Sequence, residues 1–174
     1  MSGAPMPRSS GRVDPRVAVE GTKEPGITQV RRFRSEDADS VIAISAESPK
    51  AAIWSRESYI ELAEENQSQL LVIETNGELR GFLVGRCVGD QAEVLNLAVK
   101  QKQRRKGQGS VLMAAALEDF ASRGATSVYL EVRESNTSAI AFYERHGFAK
   151  SGKRNDYYRQ PDEPAVIMIK KLSA

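Results

Sequence analysis

The sequence predicts one α/β domain on a mixed central β-sheet, with about seven strands and four helices in the order β-α-α-β-β-β-α-β-α-β-β. Three observations predict it. Two apolar runs meet through Asn76-Gly77, the signature of a tight hairpin and so of antiparallel strands. From Ala92 to Phe148 strand-like and helix-like patterns alternate, which makes the sheet mixed. A length of 174 residues, 40% hydrophobic and 28% charged, suits one globular core.

Residues 1–26 are rich in Gly, Pro, Ser and Arg without an apolar period, so they read as a flexible arm. The folded domain is expected over 27–174. Ile27 to Phe33 reads as the first strand. Ser35 is placed to cap a helix with Ala38, Val41, Ile42, Ile44 and Ser45 on one stripe, and Ser48-Pro49 interrupts it. Ser55 can cap a second helix with Tyr59, Ile60, Leu62 and Ala63 inward. Gln69–Glu74 and Leu79–Gly85 form the hairpin, and Ala92–Val99 follows a Gly89-Asp90 turn. Gly109–Arg123 reads as a helix with Val111, Leu112, Ala115, Ala116, Leu117 and Phe120 inward, stopped by Gly124. Val128–Val132 is a strand, Ser138–His146 a short helix closed by Gly147, the chain from Phe148 onward is extended as a sixth strand, and Val166–Ile169 is the last strand.

A net charge of +2 conceals an uneven distribution. Residues 1–27 carry +1, 28–99 carry −5 and 100–174 carry +6. The basic second half points to an anionic ligand, nucleic acid or a phosphorylated cofactor. Cys87 is the sole cysteine and His146 the sole histidine, which excludes intrachain disulfides and cysteine- or histidine-rich metal sites. No apolar run approaches the roughly 18 residues of a membrane helix, and residues 1–15 carry no apolar h-region, so a cytoplasmic protein is expected.

Most informative is the strand Leu95-Asn96-Leu97-Ala98-Val99 followed by Lys100 to Ser110. A buried strand runs into a basic, Gly-containing loop and then a helix start. Helix starts present unpaired N–H groups and a positive dipole end, which together hold anions. Gly107 and Gly109 allow close backbone approach, and Arg104, Arg105 and Lys106 add charge. The run has no interleaved aromatics, so a nucleic-acid platform is disfavoured against a cofactor's phosphates.

Arg104-Arg105-Lys106-Gly107-Gln108-Gly109 resembles the (Q/R)-x-x-G-x-(G/A) pyrophosphate loop of the GNAT superfamily of N-acetyltransferases, which use acetyl-CoA. Within it the chain is similar to the RimI type, the ribosomal-protein-alanine N-acetyltransferases. Glu93–Val99, Leu130–Asn136, Ala139–Phe148 and the Tyr157-Tyr158 pair carry that similarity, which spans residues 28–172. The superfamily's element order is the one read above.

The resemblance implies that backbone groups of Leu97, Ala98 and Val99 pair with pantetheine. It implies that Arg104 through Ser110, Gln108 included, hold the pyrophosphate, and that Asn136 reaches the cofactor. It makes Glu131 the general base and Tyr143 the general acid. Trp54, Asn96, Asp156, Tyr157 and Tyr158 would line the acceptor side.

Chemistry asks for such groups independently. An amine must lose a proton to attack a thioester, and the departing thiolate must gain one. A peptide α-amine, with a pKa of about 7.7–8.0 against about 10.4 for lysine, needs only one modest base. No Ser or Cys nucleophile with a His partner is evident, which favours direct transfer in a ternary complex. From the residues alone, Glu131 is equally an exposed strand residue, Tyr143 a packing aromatic and Asn136 or Ser135 an N-cap. His146 reads as a solvated helix-end residue and Cys87 as a small buried hydrophobe.

Departures from the RimI pattern concern the acceptor. Ala51-Ala52-Ile53 precede Trp54 where Phe-Pro is usual, and Arg154-Asn155-Asp156 stands in place of Arg-Arg-Asn. Glu93 and Asp156 would suit a small amine or a lysine as well. The expected function is acetyl transfer from acetyl-CoA to a protein N-terminal α-amine, by a monomer or homodimer without a metal. Polyamine, aminoglycoside or lysine acetylation, and a non-catalytic acyl-CoA-sensing module, stand as alternatives.

Overall fold

The structure is a computed structural model describing residues 26–173. The expected flexible arm lies, but for Gly26, outside the described residues. Seven strands form one sheet in the order β1-β2-β3-β4-β5-β7-β6. They are β1 (Thr28–Arg32), β2 (Ser68–Thr75), β3 (Glu78–Val88), β4 (Gln91–Val99), β5 (Ser127–Arg133), β6 (Ala149–Tyr158) and β7 (Glu163–Lys171). Helices α1 (Ala38–Ala46), α2 (Arg56–Glu64), α3 (Gln108–Ser122) and α4 (Thr137–Arg145) complete the domain. Every strand pair is antiparallel except β4 with β5. The predicted order and the mixed sheet are both present.

The sheet is covered on both faces. Leu112, Met113 and Phe120 of α3 and Ile140 of α4 pack one face, on Leu71, Ile73, Leu83, Val94 and Leu130. Val41 and Ile44 of α1 and Tyr59 of α2 pack the other, on Leu70, Val72, Phe82, Val84 and Ala98. Two-sided burial explains why β2 reads as a continuous apolar run instead of an alternating one. Close packing needs a gap in the sheet: a Cβ on Gly85 would lie 2.4 Å from Phe120 Cζ, so only glycine seats that ring. Phe120 is fully buried, a contribution on the order of 2–3 kcal/mol.

Local signals are honoured where the partner is local. Asn76 and Gly77 take φ of 52° and 77°, the left-handed pair a two-residue hairpin demands. Ser55 Oγ accepts from Ser58 N at 3.1 Å and caps α2.

Three expectations are corrected. Ser35 caps nothing: residues Ser35–Asp37 form a 3-10 turn closed by Asp37, whose Oδ2 accepts from Arg34 N at 2.7 Å. Asp37 wins because Arg31 fixes its carboxylate from the neighbouring strand. Val111 is 49% exposed, since the first turn of α3 projects past the sheet. Ala63 is exposed, on the solvent side of α2.

Candidate active site

β4 and β5 pair in parallel only from Gln91↔Ser127 to Val94↔Leu130 and then part. Beyond that point β4 runs to Val99 and β5 to Arg133 without pairing to each other. A bulge accompanies the split: Val84 pairs with Asn96 and Gly85 with Val94, leaving Leu95 unpaired. Its effect is to turn both Leu95 and Asn96 toward α1 and α2. Leu95 packs against the α1/α2 core, and Asn96 Nδ2 donates to Ala52 O at 3.0 Å. Leu97 returns to the α3 face. From Leu95 to Val99 the β5-facing edge of β4 therefore lacks a strand partner.

The loop between β4 and α3 closes one end of the gap. Arg105 and Gly107 hold φ of 60° and 80°, which turns the chain sharply before the helix. No side chain caps α3, and its first backbone bond runs from Val111 N to Gly107 O at 3.1 Å. The amides of Gln108, Gly109 and Ser110 thus point outward unsatisfied, beside a buried Gln108 Oε1 with no partner. A Cβ on Gly109 would stand 3.4 Å from two atoms of the Phe142 ring and 3.8 Å from Val99 Cγ2. Gly109 thus places the start of α3 close to Phe142 of α4, at the mouth of the gap.

Arg104 is engaged within the chain. Its Nε donates to Val99 O at 3.0 Å, and its Nη2 to Glu47 O at 3.1 Å and Ser48 Oγ at 2.7 Å. It braces the loop to the end of α1, as Gln101 N does through Glu47 Oε2 at 2.7 Å. Lys100 is likewise paired, with Glu78 at 2.7 Å. The exposed cations left beside the free amides are Arg105 and Lys106.

On the α1/α2 face, where the strands part, ionisable groups gather. Glu131 is 20% exposed, and its Oε1 accepts from Arg154 Nη1 at 2.7 Å. The Arg154 guanidinium lies 4.4 Å above the Tyr157 ring. Glu131, by its hydrogen bond and then its charge, together with burial, pushes the Tyr157 phenol up. Burial, and then the Glu131 charge, raises the Glu93 carboxyl. On the opposite, α3/α4 face of the sheet, Tyr143 of α4 lies edge-on to Phe142 and Phe148, with centroids at 5.4 and 5.8 Å. Burial, and then the neighbouring Tyr158, pushes its phenol up to about 12. Tyr158, also raised to about 12 chiefly by burial, has the Arg133 guanidinium 4.3 Å over its ring. Arg133 is itself anchored to Glu163 at 3.0 Å.

The structure thus brings Glu131 and Tyr157 together around Arg154, with Tyr158 beside Tyr157, while Tyr143 packs on α4 against Phe142 and Phe148. It places others differently. Asn96 is 6% exposed and serves as the post that holds the α1–α2 loop. Trp54 of that loop is half-buried, 5.5 Å from the Tyr59 ring. Asn136 is the α4 N-cap, its Oδ1 accepting from Ala139 N at 3.4 Å. Asp156 is exposed, in a left-handed turn with φ of 54°. His146 is half-buried, its Nδ1 bonded to Phe142 O at 2.8 Å, not a solvated end residue. Cys87 is buried as expected.

Sequence reading missed Arg154, Arg133 and Lys50, which reaches from the α1–α2 loop to Ser135 O at 3.2 Å. Arg154 stands in the motif before Tyr157-Tyr158 and Arg133 shares a strand face with Glu131 two residues away, whereas Lys50 left no signal. Among the described residues no cluster of three or more His, Cys, Asp or Glu is arranged to hold a metal ion. No helix among them is long and apolar enough to cross a membrane.

Comparison with known proteins places this geometry. The acetyltransferase (GNAT) family matches residues 38–148. A Bacillus subtilis (strain 168) protein, provisionally named a ribosomal protein bS18-alanine N-acetyltransferase, is 37% identical over 140 residues, 80% of this chain and 92% of that one. The crystal structure of the Escherichia coli ribosomal-protein-S18-alanine N-acetyltransferase superposes with a TM-score of 0.76 at 27% identity, covering 85% of this chain and 96% of its own. Ard1 from Thermoplasma volcanium superposes with a TM-score of 0.77 at 30% identity, over 84% of this chain and 99% of its own. With the split sheet, the uncapped α3 start and these relatives together, the chain belongs to the acetyltransferase (GNAT) family and is an N-acetyltransferase.

Proposed function

We propose that the enzyme transfers an acetyl group from acetyl-CoA to the N-terminal α-amine of a protein, a ribosomal protein of the bS18 type being the first candidate. The observation that carries the reading is a carboxylate, Glu131, on β5 just past the point where β4 and β5 part, with the uncapped start of α3 at the end of the same gap. The names of the relatives support the acceptor class.

The residues present fit acetyl-CoA. Free amides of Gln108, Gly109 and Ser110, with Arg105 and Lys106, suit a pyrophosphate. The unpartnered edge from Leu97 to Val99 suits the amides of a pantetheine arm as an added strand would. Bound there, acetyl-CoA supplies a thioester carbonyl open to nucleophilic attack.

The chain's own groups manage the protons. Glu131 takes the proton that the attacking nitrogen loses as the N–C bond forms. Tyr143 gives its phenolic proton to the sulfur as the C–S bond breaks; a phenol raised to about 12 stays protonated at neutral pH until the thiolate develops. Asn136 fixes the start of α4 and so the height of Tyr143. Asn96 and Arg104 set the α1–α2 loop, and with it Trp54, against the acceptor side.

Purified enzyme, acetyl-CoA and an Ala-start peptide test the reading by thiol release and mass spectrometry. Acetyl at the α-amine is expected, and coenzyme A should raise the melting temperature. Glu131→Gln should lower kcat by roughly 100-fold or more with coenzyme A binding intact. Turnover of small amines but not of the peptide, or an unaffected Glu131→Gln, overturns it.

A further inference from the structure

The Glu131 carboxylate is already engaged by a cation of the chain itself. Arg154 Nη1 stands 2.7 Å from Glu131 Oε1, and the guanidinium carbon sits 4.4 Å over the Tyr157 ring. Arg154 is 54% exposed against 20% for Glu131, so the cation covers the carboxylate from the solvent side. Regular β6–β7 pairing lapses between Arg154 and Tyr158, so this stretch is not tied down by the ladder. The other ionisable groups near Glu131 are Tyr157 and Tyr158 of β6 and Glu93 of β4. Arg154 is thus the one cation, among the described residues, hydrogen-bonded to it.

We propose that Arg154 is a charge filter on the acceptor, admitting an α-amine and opposing a lysine ε-amine. The inference rests on Glu131 as the base. An ammonium that approaches Glu131 meets a like charge and an oxygen already taken, whereas an uncharged amine meets neither obstacle. At pH 7.5 roughly one α-amine in three is uncharged, but only about one lysine side chain in a thousand. A fixed positive charge beside the base therefore widens a difference that the two amines already have. Glu131 Oε2 is left to receive the proton once the nitrogen has attacked.

The experiment uses the intact enzyme with acetyl-CoA and two peptides. One has a free N-terminal Ala and no Lys; the other is N-blocked and carries one Lys. kcat/KM is measured for wild type, Arg154→Met and Arg154→Lys. Arg154→Met should raise the lysine-to-α-amine ratio roughly five- to tenfold, mainly through KM for the lysine peptide. Arg154→Lys should keep the wild-type ratio. Added salt should shift the wild-type ratio toward lysine and leave Arg154→Met unchanged. An unchanged ratio in Arg154→Met, or an equal loss of kcat on both peptides, overturns the filter. Glu131→Gln run alongside separates the two claims. If it abolishes turnover while Arg154→Met leaves the ratio alone, only the filter fails; if it turns over normally, the base assignment fails first.

Discussion

Arg31 grips Asp37 with both terminal nitrogens, Nη1 to Oδ2 at 2.8 Å and Nη2 to Oδ1 at 2.9 Å. Asp37 is only 5% exposed and also accepts the Arg34 amide at 2.7 Å, so strand β1 and the entry to α1 are locked together. Burial alone would raise this carboxyl; the Arg31 bonds, then the Arg34 amide, reverse it and leave it lowered. A lowered carboxyl stabilises the fold above its unfolded value of about 3.9 and loses that as pH falls through its folded value. Asp37→Ala should cost about 1.5–3 kcal/mol at pH 7 in urea melts, because it removes two charge-assisted bonds from Arg31, which keeps Glu74, and leaves the Arg34 amide unpaired. The gap to wild type should narrow below about pH 4.

Gln69 is 1% exposed beneath α3, and neither its Nε2 nor its Oε1 has a partner in the structure. Its β2 neighbours on the same face, Leu71 and Ile73, belong to the apolar core. Gln69→Met should therefore stabilise the protein by roughly 1–2 kcal/mol, since both orphaned groups leave the core together. Denaturant midpoints at unchanged slope would show it, and destabilisation would mean that ordered water satisfies the amide.

The basic loop divides into braces and contacts. Arg105→Ala and Lys106→Ala should each weaken coenzyme A binding by about two- to fivefold, less at high salt. Arg104→Ala should instead lower the melting temperature without ligand, since it frees Glu47, Ser48 and the loop. Gly109→Val should abolish coenzyme A binding by driving a branched side chain into Phe142. Calorimetric titration and thermal melts read these effects separately.

Tyr143 supplies an alkaline signature. Its phenol is raised above the ordinary value of about 10, so the folded state keeps a proton that the unfolded state surrenders. Stability is then complete below pH 10 and falls as pH rises toward about 12. Tyr143→Phe should flatten that fall in melts recorded across the alkaline range. The same variant should lower kcat by roughly 100-fold at neutral pH while leaving coenzyme A binding intact.

Features legible in the sequence were those whose cause lies within a few residues. The Asn76-Gly77 hairpin, the Ser55 cap and the Gly-containing turn into α3 each depend on local backbone geometry. Ser35 misled because the competing cap, Asp37, draws its strength from Arg31 on a different element. The acceptors that Arg104 meets likewise come from a distant element, the end of α1, which its loop sequence does not encode.

The sequence by itself determined the element order and the Gly-containing turn into α3, and its resemblance to the RimI type pointed to Glu131 and Tyr143. Only the tertiary structure decided which side chains face the acceptor. Side-chain direction alternates along a strand, so one bulge at Leu95 turns Asn96 away into the core. The irregular end of β6 likewise delivers Arg154 to Glu131, 23 residues away in the chain. Those directions follow from the register of the whole ladder, which no local stretch encodes.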